Sequence, residues 1–159
     1  MSYVGEGGEI SGVLARADAQ KVLPYKSGTR GTFVATGAMT QGDFGLYRWE
    51  MQADGGGAGG HFHRTFSESF YVLEGNPSFF DGSEWKRGGP GDFLYIPEGG
   101  IHGFRNDSPA PATMLILFSP GIAREAYFDA LYEIGHSGRE MTKADWDDLY
   151  AAHDQTMVE

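Results

Sequence analysis

The stretch GGHFHRTFSESFYVLEG, residues 59–75, places two of the chain's five histidines two positions apart, with a glutamate five positions further on. Alternate residues of a strand point to the same face, so His61 and His63 can direct both imidazoles at one point. Glu68 is out of phase with them on a single straight strand. It joins them only if the chain turns within residues 64–67 and Glu68 opens the next strand facing inward.

A second segment, GDFLYIPEGGIHGFRN at residues 91–106, supplies His102 at the start of a short strand after a Pro-Gly turn. Three neutral imidazoles and one carboxylate suit one divalent transition metal, namely Mn, Fe, Co, Ni, Cu or Zn. They also leave coordination positions open for chemistry. The same residues fit a simpler interpretation, with His61 and His63 on the polar face of a strand and His102 in a turn. Spacing alone leaves both interpretations open.

Composition favours a β-rich fold, because 25 of the 159 residues are glycine and 7 are proline. From Thr32 to Phe118 the chain consists of short apolar or alternating runs separated by turn residues. Many short strands at this spacing predict a β-sandwich or a barrel.

The character of the sequence changes after Phe118. Apolar residues at helical spacing predict a first helix, with Ser119 as its N-cap and Gly135 as its stop. Thr142 and Asp145 resemble a capping box that begins a second helix. We expect both helices to cover the outside of the barrel.

Charge and cysteine content exclude several classes of function. The net charge of −10 argues against nucleic acid and anionic membranes as partners. The chain has no cysteine, which excludes disulfides, thiolate metal sites and a cysteine nucleophile. No secretory signal or membrane-spanning run is visible, so we expect a cytoplasmic protein.

Two segments resemble the paired motifs of the cupin superfamily at ten fixed positions. The first motif is matched by Gly55, His61, His63, Glu68 and Gly75, and the second by Gly91, Pro97, Gly99, His102 and Asn106. The second half of the chain is further similar to the quercetin-dioxygenase-like branch of small cupins.

This resemblance implies an all-β double-stranded β-helix, or jelly-roll barrel, with one or two C-terminal helices. It also implies that His61, His63, Glu68 and His102 ligate the metal. We predict a single cupin domain over residues 1–159, with the barrel core at about 32–118 and a helical segment at about 119–153. A homodimer is expected, since dimers are common in similar cupins and open sheet edges tend to be covered.

The leading functional hypothesis is a metal-dependent, dioxygenase-type oxidoreductase acting on a small enolizable or aromatic, flavonol- or polyketide-like compound, with O₂ as co-substrate. Glu68 would then be both a ligand and a catalytic proton acceptor. Strand phase predicts the pocket residues Tyr47, Trp49, Met51, Phe70 and Phe104. Two alternatives stay open: a redox-neutral isomerase, cyclase or lyase, and a module that binds a small molecule without turnover.

Overall fold

Strands form where apolar side chains alternate with polar ones, as in Gly45–Met51, whose alternate residues are buried. The computed structural model describes residues 3–122 and 124–158. Within them the strands are β1 Val22–Pro24, β2 Arg30–Ala35, β3 Gly45–Met51, β4 Gly56–Phe62, β5 Ser67–Glu74, β6 Ser78–Phe80, β7 Trp85–Arg87, β8 Phe93–Ile96, β9 His102–Asn106, β10 Ala112–Ser119 and β11 Thr156–Met157. The helices are α1 Arg124–Ser137 and α2 Lys143–Ala152, and a short 3₁₀ turn spans Ala17–Ala19.

The strands form two antiparallel sheets. One has the order β1-β2-β3-β10-β5-β8, and the other has the order β11-β4-β9-β6-β7. From β3 to β10 the chain crosses repeatedly between the sheets, so that β4 and β9 lie in one sheet and β5 and β10 in the other. This topology is a jelly roll, and it confirms the all-β double-stranded β-helix with C-terminal helices predicted from the sequence.

Aromatic side chains join the two sheets. Phe70 of β5 is fully buried, and its ring centroid lies 5.3 Å from Phe79 of β6 and 5.4 Å from Phe104 of β9. Full burial of one such side chain contributes about 1.5–3 kcal/mol. The barrel interior between the two sheets is therefore a filled core.

The first helix differs from the sequence prediction at both ends. Ser119 does not cap it, because this residue ends β10, where it pairs with Ser67. The helix also continues through Gly135, which a helix tolerates at a cost of about 1 kcal/mol. It ends at Ser137, and the left-handed Gly138, with φ of 72°, follows.

The second helix begins as predicted. Thr142 is its N-cap, and the reciprocal hydrogen bonds of a capping box join it to Asp145. Neither α1 nor α2 is long and apolar enough to cross a membrane.

Two short strands lie outside the barrel core predicted at about 32–118. The first is β1, which ends at Pro24 and pairs with β2. Near the other end of the chain, β11 pairs with β4 by matching Thr156 to Phe62 and Met157 to His61. This pairing brings the C-terminal segment beside the histidine strand.

Candidate metal centre

The four predicted ligands converge on one point. His61 lies near the end of β4, His63 just beyond it, Glu68 on β5, and His102 at the start of β9. All four side chains are buried. Their ligand atoms lie within 4.8 Å of one another. Bonds of about 2.0–2.2 Å place opposite ligands of a metal roughly 4 Å apart, so the cluster is close to the size of a metal site.

The turn required by the sequence is present. β4 ends at Phe62 and β5 begins at Ser67, so the chain reverses across residues 63–66. Glu68 therefore faces inward on β5. The Gly99 N–H donates to the His63 oxygen at 2.7 Å, which fixes this turn against the loop that precedes His102.

Each imidazole is oriented by a main-chain carbonyl. The Nδ1 atoms of His61 and His102 donate to the Gly59 and Gly100 oxygens at 2.8 and 2.9 Å. The Nδ1 of His63 donates to the main-chain oxygen of Asp154 at 2.6 Å. A carbonyl oxygen only accepts, so each Nδ1 carries a proton, and each ring presents a lone pair at Nε2 whenever it is neutral.

These lone pairs meet a carboxylate. The Nε2 atoms of His63 and His102 lie 3.0 and 2.8 Å from Glu68 Oε2. Neutral rings and an ionised carboxylate would point lone pairs at each other, so either a proton or a metal ion must lie between them. The donor set therefore fits a divalent transition metal.

Burial and mutual contact shift the titration of the cluster. Burial lowers the pKa of His61 to about 4. Burial alone would raise the pKa of Glu68, but hydrogen bonds from His102 and His63 outweigh it and hold that pKa well below its usual range. Burial opposes protonation of His102 as well, yet the hydrogen bond to Glu68 raises its pKa. Metal binding would thus release the proton that His102 shares with Glu68.

A cavity of about 370 Å³ opens beside the cluster, and His61 and Glu68 form part of its wall. Three of the predicted pocket residues, Trp49, Met51 and Phe104, line this cavity. Aromatic and apolar side chains make up most of the rest of the wall. The arrangement suits a small molecule with a planar or apolar part.

The other two predicted pocket residues, Tyr47 and Phe70, are buried in the core instead. Tyr47 packs edge-on against Phe128 at 5.0 Å and donates its hydroxyl hydrogen to Glu125 Oε1 at 2.7 Å. Strand phase places both side chains inside the barrel, but it does not show how deep the packed core extends.

The helices contribute to the site, which the sequence interpretation missed. Side chains of both helices reach the cavity, among them Tyr127, Phe128, Leu131, Trp146 and Tyr150. Arg124, at the start of α1, is buried and lines the same cavity. A signal was present in the sequence, because Arg124 shares the helical stripe of Tyr127, Phe128 and Leu131.

His153, just after α2, also packs beside the cavity. Its ring packs at 5.4 Å from that of Tyr127, and its main-chain oxygen accepts a hydrogen bond from Arg124. The C-terminal segment therefore forms one side of the site.

Two other motif positions have structural roles. Asn106 is fully buried, and its Nδ2 donates to the Gln52 and Ala110 oxygens, each at 2.8 Å. Gly75 has φ of 75°, and a Cβ there would lie 2.3 Å from the Pro111 oxygen. Both residues hold turns at the strand ends, which keeps the ligand strands in register.

Comparisons with known proteins agree with this geometry. The family model for the cupin domain matches residues 47–118. Quercetin 2,3-dioxygenase of Bacillus subtilis (strain 168) is 28% identical over 106 residues, which are 67% of this chain and 28% of that enzyme. The chain thus spans less than a third of that relative's length.

Solved structures show the same fold. KdgF from Halomonas sp. superposes with a TM-score of 0.62 at 20% identity, over 72% of this chain and 98% of that one. An RmlC-like cupin from Shewanella frigidimarina superposes with a TM-score of 0.58 at 18% identity, over 71% and 93% of the two chains.

Proposed function

This chain belongs to the cupin superfamily, and from that premise we propose that it is a metal-dependent oxidoreductase of the dioxygenase type. Its substrate would be a small enolizable or aromatic compound. The observation that carries the proposal is the buried cluster of three histidines and one glutamate, which opens onto an aromatic-lined cavity. The partial match to a quercetin 2,3-dioxygenase supports the reaction class.

We assign metal binding to His61, His63, Glu68 and His102. A divalent metal at this position would supply a Lewis acid that favours an anionic oxygen such as that of an enolate. The chain's own residues prepare the site. Main-chain carbonyls hold the three rings in one tautomer, which spares the site a reorganisation when its ligand arrives.

Glu68 has two roles in this proposal. Its charge partly balances the metal, and its carboxylate accepts the proton that the substrate loses on forming the enolate. The hydrogen bonds from His63 and His102 make it a weak base without metal. A metal held by both Nε2 atoms would take the place of those donors.

The apolar side chains of the cavity wall would limit water around the reacting atoms. Trp49 and Phe104 on the strands, and Tyr127 and Phe128 on α1, line the cavity that His61 and Glu68 border. A dry wall strengthens the attraction between an enolate and the cationic centre. It also provides flat apolar surfaces against which an aromatic ring can stack.

The test is O₂ consumption by protein reconstituted separately with Fe, Ni, Mn, Co, Cu and Zn. Flavonols and β-diketones are supplied under air, and Glu68→Gln is the matched control. We expect O₂ uptake with at least one redox-active metal and its loss in the variant. Turnover under anaerobic conditions, with no O₂ uptake in any form, would replace this proposal with a redox-neutral reaction. Binding without turnover would leave a small-molecule-binding module.

We also propose a homodimer that forms through the edge strand β8. Phe93 and Tyr95 project from one face of this strand and are 63% and 57% exposed, and Tyr71 of β5 lies next to them. An antiparallel edge can pair with a second copy of itself about a two-fold axis. Sedimentation at tens of micromolar should show a dimer that Phe93→Lys disrupts, whereas a wild-type monomer would contradict it. The cytoplasmic location stays a prediction.

A further inference from the structure

Arg124 is a buried cation at the wall of the cavity. Its side chain lies beside the space that His61 and Glu68 also border, and the residue is only 3% exposed. Nη1 donates to the His153 oxygen and Nη2 to Gln155 Oε1, each at 2.9 Å. Within residues 3–122 and 124–158, Nε has no hydrogen-bond partner.

These two bonds satisfy only part of the guanidinium. Both partners are neutral oxygens, and no carboxylate of the described residues forms an ion pair with Arg124 within 4.0 Å. Burial lowers the pKa of Arg124, but arginine stays protonated in proteins. The charge of Glu68 stabilises the guanidinium from a distance, but a buried charge without a counter-ion in contact is costly unless a ligand supplies one.

Aromatic rings hold the guanidinium in place. Its central carbon lies 4.1 Å from the ring centroid of Tyr127, 5.4 Å from that of Phe118 and 5.6 Å from that of Phe66. Contact with ring faces stabilises the charge and orients the group, but it occupies none of the N–H donors. Nη1 and Nη2 each keep one N–H group without an acceptor among the described residues, at the wall of the cavity.

The net charge of the whole site also favours an anionic ligand. This step rests on the proposed metal centre. A divalent metal with Glu68 as its anionic ligand keeps one net positive charge, and Arg124 adds another. Both lie at one small apolar cavity, where a ligand of opposite charge is favoured most.

We infer that the cavity takes a small molecule that bears a carboxylate and an enolizable carbonyl group. The carboxylate oxygens accept hydrogen bonds from Arg124, and the carbonyl oxygen faces the histidine–glutamate cluster. A carboxylate matches the planar edge of a guanidinium. A phosphate is a poorer match, because its larger charge and additional oxygens need more donors than one partly occupied arginine offers.

Arg124 could instead serve only to tie α1 to the C-terminal segment through His153 and Gln155. The two roles differ in what they require. A structural tie depends on the partners of Nη1 and Nη2, whereas anion binding depends on the charge. Gln155→Ala therefore removes one of the two hydrogen bonds and keeps the charge. Arg124→Met removes both hydrogen bonds and the charge.

The test is calorimetric titration of zinc-loaded protein with phenylpyruvate and with its methyl ester. The acid and the ester share the aromatic ring and the enolizable carbonyl group and differ in charge. We expect wild type to bind the acid at least about tenfold more tightly, the usual advantage of a charge-assisted contact. Arg124→Met should lose this preference, and Arg124→Lys and Gln155→Ala should keep much of it.

Zinc content and circular dichroism confirm that each variant is loaded and folded. The inference is overturned if wild type does not bind the acid or prefers it no more than the ester, a comparison that needs no variant. It is also overturned if folded Arg124→Met keeps the preference, or if phenyl phosphate binds more tightly than phenylpyruvate. Zinc and calorimetry involve no O₂, so a carboxylate preference without O₂ uptake keeps this inference and rejects only the dioxygenase reaction.

Discussion

The Nδ1 of His63 donates to the main-chain oxygen of Asp154 at 2.6 Å, across 91 positions of sequence. Asp154 has φ of 49°, in the left-handed region. Its carboxylate accepts hydrogen bonds from the N–H groups of Arg64 and Thr65 and from the Thr65 hydroxyl. The C-terminal segment thereby clamps the turn that carries a candidate ligand, and Asp154 is a positioning residue.

We predict that Asp154→Gly lowers zinc affinity by about tenfold, because the main-chain oxygen that orients His63 is then no longer held in place, and disturbing such an outer contact of a metal-binding histidine typically costs 10–100-fold. Glycine accepts the left-handed backbone without strain, so the loss reports on the carboxylate clamp. Competition with a chelator of known affinity measures it. Asp154→Asn retains an acceptor and tolerates the same φ, so its affinity should fall less. Equal affinities for wild type and Asp154→Gly would show that the clamp does not position His63.

The ligand cluster itself was predictable from the sequence. Strand periodicity places His61 and His63 on one face, and the turn at 64–67 is the condition under which Glu68 can join them. The clamp was not predictable, because Asp154 lies far along the chain and acts through a main-chain oxygen and a left-handed turn. Sequence patterns do not encode which distant carbonyl an imidazole meets.

Glu68→Gln should keep part of the bound metal and lose most turnover. The amide oxygen can still approach a metal, but the substitution removes the charge and the proton acceptor. Metal content by elemental analysis and O₂ uptake are measured on the same preparation. Turnover per bound metal equal to that of wild type would remove Glu68 from the chemistry.

Phe70→Ala should lower the free energy of unfolding by about 3–5 kcal/mol, because it leaves a cavity in the core that joins the sheets. Denaturant unfolding of metal-free protein measures the change. Phe93→Ala is the matched control, since Phe93 is exposed in the single chain and its loss in dilute protein should cost about 0.5 kcal/mol or less. A change in the free energy of unfolding as small as that of Phe93→Ala would contradict a core role for Phe70.

Thr142→Ala should lower the free energy of unfolding by about 1 kcal/mol, because it removes the N-cap of α2. Hydrogen bonds from Thr142 lower the pKa of Asp145 from its ordinary value of 3.8. A carboxylate whose folded pKa is lowered stabilises the fold above its unfolded pKa and loses that contribution as pH falls.

The stability difference between wild type and Asp145→Asn should therefore be present at pH 7 and shrink below about pH 3.8. Denaturant unfolding at both pH values measures it. A difference that does not change with pH would mean that the charge of Asp145 adds nothing to the cap.

The limits of sequence inference are clearest in α1. The apolar stripe predicts a helix, but the start depends on Ser119, which the pairing of β10 with β5 takes into the sheet. Tertiary pairing thus overrides a local capping signal. The same stripe contains Arg124, and only the packing of α1 over the cavity distinguishes a buried cation from a solvated one.

The most direct test of the account is the metal stoichiometry of purified protein after loading with zinc and removal of excess. Wild type should hold one zinc per chain, and His61→Ala and His102→Ala should lose most of it while circular dichroism still shows the barrel. His136→Ala is the matched control, because His136 is an exposed histidine on α1, and it should keep the wild-type value. Unchanged stoichiometry in both His61→Ala and His102→Ala would contradict the metal centre.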